Sequence, residues 1–470
     1  MRTARPPVRS KERARHSTRR VLAAVSASAL LLTGAAACSR SGGSGNSNNP
    51  SSNAAAPSSS SSSAAGPGDF GTLKKICGPG NATGGSGRGI TSSTITLGTM
   101  SDAGSTIVPG LEIEFFQVAD AFVKWCNAAG GINGRKLKVN KHDAKLFDSG
   151  ARTLDACQTD FMLVGNGDAF DQATVKPRLA CKLGQIPSYV VSPDAANAGL
   201  QVQPTPNPLN EYPVGAFLRL KALYPGAEQH FGIGGSNNAS IRPVALRLRD
   251  AVTQIGYKVV EYQEQPPLVD NYRPYVTSAQ QKGVQSWQQI SAQDLTPLVT
   301  AANNVGWKPT WFVENAQFYD PKTIQAAKST NFPTTYIYLA HWPYELASQN
   351  PTVAQEIKIL HDAIPNAPTT DFTALAFSAW TLWAKSATEC GNDLTQDCVL
   401  QKASQNSDWS SGGMYPAHNV NPANAHTIPC ITMLKVTPNG FVYDKNATDP
   451  NQDIFNCGSQ NVVHLTKTYQ

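Results

Sequence analysis

The chain of 470 residues lacks the short signatures of the common catalytic sites. It contains no GxxxxGK[ST] phosphate loop, no GxSxG nucleophile elbow and no HExxH zinc motif. A secreted hydrolase can work without such a motif, so this alternative stays open, although it would need a nucleophile and a base in a cleft. We therefore predict a protein that is not an enzyme and that uses no cofactor.

The chain also lacks net charge outside its first 20 residues. The formal net charge is +6, but residues 1–20 hold eight Lys and Arg against the single acid Glu12. The remainder has 31 basic and 32 acidic residues. Because nucleic-acid binding depends on clustered positive charge, we expect no nucleic-acid partner.

No apolar run is long enough for a typical membrane-spanning helix. The uncharged run from Val21 to Ala37 has 17 residues and follows a basic start, which is the pattern of an export signal. It leads to Cys38, and "LTGAAAC" resembles the lipobox of bacterial lipoproteins, although Ala35 stands where that family usually has Leu. We predict an export signal over 1–37 and lipidation of Cys38, with a plain secretory peptide as the alternative. Sec and twin-arginine export both stay open.

Large apolar side chains are missing from residues 39–68, which are mostly Ser, Gly, Ala, Asn and Pro. Such a segment cannot bury enough surface to offset its ordering entropy. We predict a lipidated cysteine and flexible linker over 38–68, then a lead-in segment over 69–91. The body would be exported and lipid-anchored on the extracytoplasmic face of the cell membrane.

The cysteines lack the spacing of metal ligands. There is no CxxC and no Cys/His cluster, so we expect no metal site. Eight cysteines besides Cys38 in an exported chain predict disulfides, and they allow 105 pairings. Proximity in the sequence favours Cys390 with Cys398, Cys430 with Cys457, Cys157 with Cys181 and, by elimination, Cys77 with Cys126.

Strand and helix patterns alternate along the rest of the chain. In "WCNAAGGINGRKLKV", residues 125–139, a helix ends at Gly130-Gly131 and a strand begins after Asn133-Gly134. Further strands are predicted at "TITLGTM", "FMLVGNGD" and "IPSYVVSP", and a similar rhythm begins again after about residue 209. This alternation predicts an α/β fold of two lobes with mainly parallel sheets.

Several segments resemble one family. "TITLGTMSD", "NAAGGINGRKLKV", "MLVGNGD", "GQIPSYVVSPDAA" and "LVTAANNVGWKPTWFVE" look like parts of the leucine/isoleucine/valine-type solute-binding proteins of ABC importers, over about residues 90–445. The resemblance implies the type I periplasmic-binding fold, in which a three-segment hinge joins two Rossmann-like lobes. It implies lobe 1 over 92–208 and 343–426, and lobe 2 over 209–342 and 427–470. It also implies a monomer that captures a small-molecule ligand for ABC permease subunits.

The candidate ligand-binding residues follow the carboxyl ends of the predicted strands, where open α/β sheets bind ligands. A ligand that contacts two such edges at once would favour the closed state of the protein. The candidates are Ser101, Asp102, Gly167, Asp168, Ala169, Phe170, Asp194, Ala195, Ala196, Asn237, Asn238, Gln289, Ser291, Glu314, His341 and Trp342, with Asn166, Ser192 and Ser236 in the same loops.

The type of ligand follows from departures from the family's pattern. Ala169 and Ala196 stand where amino-acid binders of this family hold the ligand carboxylate with hydroxyls, and Asp168 would repel a carboxylate, as would Asp194. Glu314 resembles the Glu that takes the ligand's ammonium group. These features argue against an α-amino acid and favour a neutral or cationic small organic molecule, with an aromatic wall from Phe170 or Trp342.

Three other functions are alternatives to solute capture for an importer. A tethered sensor would present ligand state to a membrane partner through the same fold. A secreted hydrolase and a cell-surface structural protein are less well supported, because the chain offers no evident nucleophile–base pair and because a simple spacer needs no cleft. The sequence alone does not identify the ligand.

Overall fold

The computed structural model describes residues 66–85 and 87–469. The predicted export signal, Cys38 and residues 39–65 of the predicted linker lie outside the described residues. Within the described part, no helix is both long enough and apolar enough to cross a membrane. The same part contains no cluster of three or more His, Cys, Asp or Glu side chains that could hold a metal ion.

The first sheet has four parallel strands in the order β2-β1-β3-β4. Its strands and the helices between them are β1 (Thr94–Ser101), α1 (Ile113–Ala129), β2 (Lys136–Asp143), α2 (Ser149–Thr159), β3 (Leu163–Val164), α3 (Gln172–Ala180), β4 (Gln185–Ile186) and α4 (Pro193–Ala196). The predicted strand–helix alternation is confirmed here.

The joint between α1 and β2 follows from the glycine pair. The N–H of Gly130 donates to Asn127 O and that of Gly131 to Cys126 O, which ends the helix. Gly131 has φ 83°, and a Cβ there would lie 2.0 Å from Arg135 O. Only glycine allows the chain to turn back this closely, so the turn fixes where β2 begins.

Two strands are shorter than the sequence pattern predicts. β3 and β4 have two residues each, and residues 187–192 form a loop instead of the predicted strand. The N–H of Ser188 donates to Asn166 O at 2.8 Å, and the N–H groups of Val191 and Ser192 donate to the Asp171 carboxylate at 2.7 and 2.9 Å. The backbone of residues 187–192 therefore bonds to Asn166 and Asp171 and not to a neighbouring strand, and this segment is not part of the sheet.

The second sheet has eight strands and is mainly parallel. Its path is β12-β11-β10-β9-β8-β6-β7, with β13 paired to β11, and β11 runs antiparallel to β10, β12 and β13. The elements are β6 (Phe231–Ser236), α6 (Arg242–Gln254), β7 (Val259–Gln265), α7 (Arg273–Gln281), β8 (Ser286–Ile290), α8 (Thr296–Val305), β9 (Trp311–Glu314), α9 (Pro321–Ser329), β10 (Thr335–Leu339), β11 (Cys430–Thr437), β12 (Gly440–Tyr443) and β13 (Asn456–Cys457).

The remaining elements pack around the two sheets. They are β5 (Glu211–Pro213), α5 (Gly215–Leu223), α10 (Pro351–Ala363), α11 (Asp371–Glu389), α12 (Gln396–Ser404), α13 (Lys445–Thr448) and β14 (Val462–His464), with short 3-10 turns at Ala227–His230, Ala316–Phe318, Tyr344–Leu346 and Ser459–Asn461. β5 pairs with β14 in a separate two-stranded sheet. α10, α11 and α12 contribute to the apolar core that also contains β1 and α1.

Three connections carry the chain between the sheets: residues 203–210, 340–350 and 414–429. Hydrogen bonds tie them together, because His418 Nε2 lies 2.7 Å from Pro204 O and the Trp342 N–H donates to Met414 O at 2.9 Å. The Thr427 N–H donates to the carboxylate of Glu211, just past the first connection, at 2.8 Å. The two sheets are thus joined by three hydrogen-bonded connections and not by a single linker.

The four disulfides join Cys77 to Cys126, Cys157 to Cys181, Cys390 to Cys398 and Cys430 to Cys457. This confirms the predicted pairing. The bridge to α1 also draws in the lead-in segment, where the Phe70 ring is fully buried and stacks on Phe377 of α11 at a centroid distance of 5.8 Å. Residues from about 66 onward are therefore part of the folded body.

Candidate ligand-binding site

A cleft lies between the carboxyl ends of the strands of the two large sheets. It consists of two adjoining cavities that share Tyr189, Val190, Asn207, Asn315, Ala316, Asp371 and Leu375. The outer cavity has a volume of about 270 Å³ and the inner cavity, beside the three connections, about 290 Å³. Together they have the size and position expected for a small-molecule site.

Residues after the strands of both sheets line the outer cavity. Its walls are largely apolar and include Leu111, Val190, Val191, Ile241, Val244, Ile290, Phe372 and Leu375. Its polar lining residues are Glu112, Tyr189, Asn207, Ser291, Asn315, Gln317 and Asp371. No lysine or arginine lines either cavity, and the acidic and basic side chains in their lining are Glu112, Asp371 and His341.

Glu112 is the most unusual polar residue of the outer cavity. It precedes α1 with φ 60°, a left-handed conformation that non-glycine residues rarely adopt, and the Ser101 hydroxyl holds its backbone by donating to Glu112 O at 2.7 Å. Its side chain is 2% exposed. The Tyr189 hydroxyl donates to Oε1, whereas Oε2 has no hydrogen-bond partner among the described residues.

The electrostatic surroundings of Glu112 are acidic. Burial raises the pKa of its carboxyl well above the ordinary range, and the nearby carboxylates of Asp102 and Asp168 raise that pKa further. Burial also raises the pKa of Asp168 well above its usual value and that of Asp171 to about 6. This wall of the cleft therefore holds buried carboxyl groups with no adjacent cation to neutralise them.

Three of these acids are occupied in holding loops. Asp102 accepts from the N–H groups of Leu146 and Ala169 at 2.6 and 2.9 Å. Asp168 accepts from the Ser149 hydroxyl at 2.8 Å, and Asp171 binds the backbone of the loop after β4 as described above. Glu112 differs from them because one of its oxygens is left without a protein partner.

Tyr189 stands beside Glu112 because a glycine leaves space for its ring. A Cβ at Gly167 would lie 2.6 Å from Tyr189 Cε1 and 2.7 Å from Phe115 Cε2. The Tyr189 ring stacks on Phe372, at the start of α11, with centroids 5.7 Å apart and an interplanar angle of 26°. Two aromatic rings thus form one rigid wall next to the Glu112 carboxyl.

The inner cavity contains a histidine–aspartate contact at the second connection. His341 Nε2 lies 3.1 Å from Asp371 Oδ1, and His341 Nδ1 lies 2.8 Å from Trp342 O. His341 is 1% and Asp371 is 8% exposed. Because both ring nitrogens face oxygen atoms, this contact fixes the ring orientation and joins the connection to the first turn of α11.

The second sheet contributes polar groups opposite Glu112. Ser291 follows β8, and Asn315 and Gln317 follow β9. Asn315 Oδ1 has no hydrogen-bond partner among the described residues. A ligand in the outer cavity would therefore contact groups from both sheets.

The residues predicted from the sequence are divided among several places. Ala169, Ser291 and His341 line the cleft. Phe170, Asp194 and Asn238 instead line a wide surface groove of about 810 Å³, and Ala196 lines a neighbouring pocket of about 460 Å³. The other candidates line neither cavity of the cleft: Ser101, Asp102, Gly167, Asp168, Ala195, Asn237, Gln289, Glu314 and Trp342.

Most of these other residues have evident local roles. Ser101, Asp102, Gly167 and Asp168 support the loops and rings described above. The Glu314 carboxylate accepts from the N–H of Gln289 at 3.1 and 3.2 Å inside the sheet, where burial raises its pKa well above normal. The Asn237 N–H donates to Gln265 O at 2.7 Å.

The other candidates are held by packing and by turns. Asn238 Oδ1 accepts from the Ser240 N–H at 2.8 Å, Ala195 is buried, and Trp342 packs edge-on against Phe455.

The sequence reasoning missed Glu112, Tyr189, Asn315 and Asp371. Glu112 and Asp371 precede or begin helices whose packing faces gave the stronger pattern, and Tyr189 was assigned to a strand. No signal in the sequence marks them, because the contacts that bring Glu112 to Tyr189 and Asp371 to His341 join positions far apart in the chain.

A protein-family model and several solved structures match this chain. A family model described as "Periplasmic binding protein" matches residues 94–441. No curated protein matches the chain significantly. Solved structures match over most of their length, as follows.

A fatty acid ABC transporter substrate-binding protein from Thermomonospora curvata is 14% identical and has a TM-score of 0.63, covering 78% of this chain and 97% of its own. A leucine-binding protein from Thermotoga maritima is 9% identical, with a TM-score of 0.60 and coverage of 74% and 97%. A branched-chain amino acid transporter substrate-binding protein from Streptococcus pneumoniae, in complex with isoleucine, is 14% identical, with a TM-score of 0.58 and coverage of 75% and 100%. The overall arrangement of the two sheets is shared with these proteins.

Proposed function

The chain belongs to the periplasmic binding protein family, whose members bind solutes and are not enzymes, and from this premise we propose that it is the membrane-tethered solute-binding component of an ABC importer. It would capture one small organic ligand between two lobes and present the closed, loaded form to permease subunits. The family implies an extracytoplasmic location. The hydrolase alternative is thereby set aside.

The observation that carries this proposal is the cleft itself. Its walls come from both sheets and include Glu112 and Asn315, each of which has a buried side-chain oxygen without a hydrogen-bond partner among the described residues. A ligand that touches both sheets stabilises only the arrangement in which they are close. Such a ligand therefore favours closure in proportion to its contacts across the cleft.

We propose that the three connections form the hinge. The lobes would be 92–208 with 343–426 and 209–342 with 427–470, so each boundary falls in or next to one connection. Hinge closure requires only a few such residues to change their backbone angles. The His341–Asp371 contact is placed to couple the second connection to the wall of the cleft.

The tether is the second part of the proposal. Lipidation of Cys38, followed by the linker, would hold the body near the membrane without restricting its orientation. The monomeric state belongs to this proposal as well.

The ligand of this chain is proposed to differ from those of the structural neighbours. Proteins of the same fold are described as binding a fatty acid, leucine or isoleucine. Each of those ligands carries a carboxylate at neutral pH, whereas the acids Glu112 and Asp371 line the present cleft and Ala169 stands where the resemblance implies a hydroxyl for that carboxylate. A neutral or cationic small organic molecule fits the lining better.

Native mass spectrometry and small-angle X-ray scattering test the proposal together. The full-length protein, purified without refolding, should retain or bind one small molecule per chain, and its radius of gyration should fall on binding. The gene neighbourhood should encode permease and ATPase subunits. A scattering curve that is unchanged by every member of a broad metabolite panel would contradict solute capture.

A tethered sensor is the alternative within the same fold. It would bind and close in the same way, so binding data do not separate the two functions. Loss of uptake of the bound compound on deletion of the gene supports the importer. Unchanged uptake together with a lost transcriptional response supports the sensor.

A further inference from the structure

We propose that the ligand of the cleft carries an ammonium group on an apolar body, and that Glu112 is the residue that binds this cation. The proposal deepens the solute-binding function and rests on it. It names a class of solute, organic amines, and a recognition residue that lies outside the strand ends where the sequence placed the site.

The first support is the unsatisfied oxygen of Glu112. Its side chain is 2% exposed and lines the outer cavity, and Oε2 has no partner among the described residues. A buried carboxyl oxygen without a hydrogen bond is costly, so native structures nearly always satisfy such atoms. Oε2 is itself buried in this structure, so an N–H donor from a ligand in the outer cavity would reach it and supply the missing partner after a rotation of the Glu112 side chain.

The second support is the sign of the charge around this oxygen. The carboxyls of Asp102 and Asp168 lie close enough to raise the pKa of Glu112, and no cation opposes them. The buried cation Arg247 lies behind Asn207, where its N–H groups donate to Asn207 Oδ1, Pro208 O and Glu211 O. It does not line the cleft. Burial and the two neighbouring acids disfavour the ionised form of Glu112, and a positive ligand group beside it would favour that form.

The contact between His341 and Asp371 does not provide a binding site for a negative ligand group. His341 and Asp371 face each other at 3.1 Å on the side of the inner cavity, so the histidine is engaged with an acid of the protein. A ligand carboxylate would have to displace Asp371 to use it. Tyr189, in turn, donates its only hydroxyl proton to Glu112, which leaves it no donor for an anion.

The third support is the apolar remainder of the outer cavity. Leu111, Val191, Ile241, Ile290 and the Phe372 ring surround the space next to Glu112. A volume of about 270 Å³ accommodates a small alkyl or aromatic group beyond the ammonium head. Burial of that body supplies affinity, while the charge-assisted hydrogen bond to Glu112 selects the head group.

A series of compounds with matched bodies and different head groups tests the proposal. The probes are hexylamine, hexanoate and 1-hexanol, together with 2-phenylethylamine, 3-phenylpropanoate and 2-phenylethanol. Calorimetry and thermal shift with the full-length protein at pH 7 should show the amines binding at least about tenfold more tightly than the carboxylates. Glu112→Gln, which keeps the shape of the side chain, should weaken amine binding by at least about 30-fold, as expected for loss of one partner of a buried charge pair.

Two further variants separate recognition from folding. Glu389→Gln changes an exposed glutamate at the end of α11 and should bind all six compounds like the wild type. Glu112→Gln should retain its affinity for the two alcohols within about threefold, which a misfolded protein would not. Tyr189→Phe, which keeps the ring, should weaken amine binding less than Glu112→Gln, because it removes only the partner of Oε1.

The possible outcomes distinguish this inference from the function on which it rests. Tighter binding of a carboxylate or an alcohol than of its matched amine, with closure in scattering, refutes the inference and supports solute capture. Equal amine binding by the wild type and Glu112→Gln also refutes it, as does failure of both amines to bind. Absence of closure with every compound in the broad metabolite panel contradicts the proposed function itself.

Discussion

Glu114 offers a direct test of the electrostatics at the cleft. It lies in the first turn of α1, is 3% exposed, and faces Asp320 and Lys322 at the start of α9. Burial raises its pKa from 4.5 to about 7, with a further contribution from Asp320 that Lys322 partly offsets. The substitution Glu114→Gln keeps the volume of the side chain and removes its titration.

The magnitude follows from linkage. Below pH 4.5 the carboxyl is neutral in both the folded and the unfolded chain, so no penalty arises. Between pH 4.5 and about 7 the unfolded chain ionises this carboxyl while the folded protein keeps it protonated, so stability is lost across this range and no further above it. A shift of about 2.5 pH units corresponds to about 3 kcal/mol, since one unit is 1.36 kcal/mol. We expect the unfolding free energy of Glu114→Gln relative to wild type to rise by about this amount from pH 4.5 to pH 8.

Urea unfolding followed by tryptophan fluorescence measures this difference at pH 5, 6, 7 and 8. Buried carboxyls that do not interact with Glu114, such as Glu314, titrate in both proteins and cancel in the comparison. Glu389→Gln serves as the exposed control and should follow the wild type throughout. A variant whose stability relative to wild type does not change with pH would refute the assignment of Glu114 as a buried, titrating acid.

Three further changes have expected outcomes. Gly167→Ala should lower the unfolding free energy by about 1–3 kcal/mol and weaken ligand binding, because its Cβ would collide with the Tyr189 and Phe115 rings. Gly199→Ala is the control and should have little effect on urea unfolding, because no atom lies within 4 Å of the added Cβ. Replacing Cys77 and Cys126 by Ser should lower the unfolding free energy by about 4 kcal/mol, and replacing Cys390 and Cys398 by about 2.5 kcal/mol, because the closed loops span 49 and 8 residues. Equal losses of unfolding free energy in urea would contradict this order. Cys38→Ala should release the protein from the membrane fraction, as followed by detergent phase partition, and retention there would contradict the lipid anchor.

The α/β architecture could be predicted because its signals are local. The helical spacing of Phe115, Val118 and Phe122 and the glycines after α1 each determine structure within a few residues. The disulfide pairs also followed from short distances along the chain. By contrast, the two-residue strands β3 and β4 could not be predicted, because the Asp171 carboxylate, 20 residues away, binds the backbone that would otherwise pair in the sheet.

The candidate site was harder to predict than the fold because it depends on which loops meet. A search along the strand ends finds Ala169 and Ser291, which follow β3 and β8 and line the cleft. It does not find Glu112, which reaches the cleft from the start of a helix in a left-handed conformation. That placement depends on Ser101 holding Glu112 O and on Gly167 admitting the Tyr189 ring, contacts that have no signal in sequence spacing.

The two acids that the sequence placed at the ligand, Asp168 and Asp194, do not line the cleft. Asp168 supports a loop, and Asp194 lies on the wide surface groove. The same sign of charge nevertheless appears at the cleft through Glu112. Burial raises the pKa of Asp102 and of Asp168, so a negative ligand group nearby would further disfavour their ionised forms, whereas a positive group would favour them. A buried acid that only caps a loop can thus still help to select a ligand, because it disfavours any negative group that enters the space in front of it.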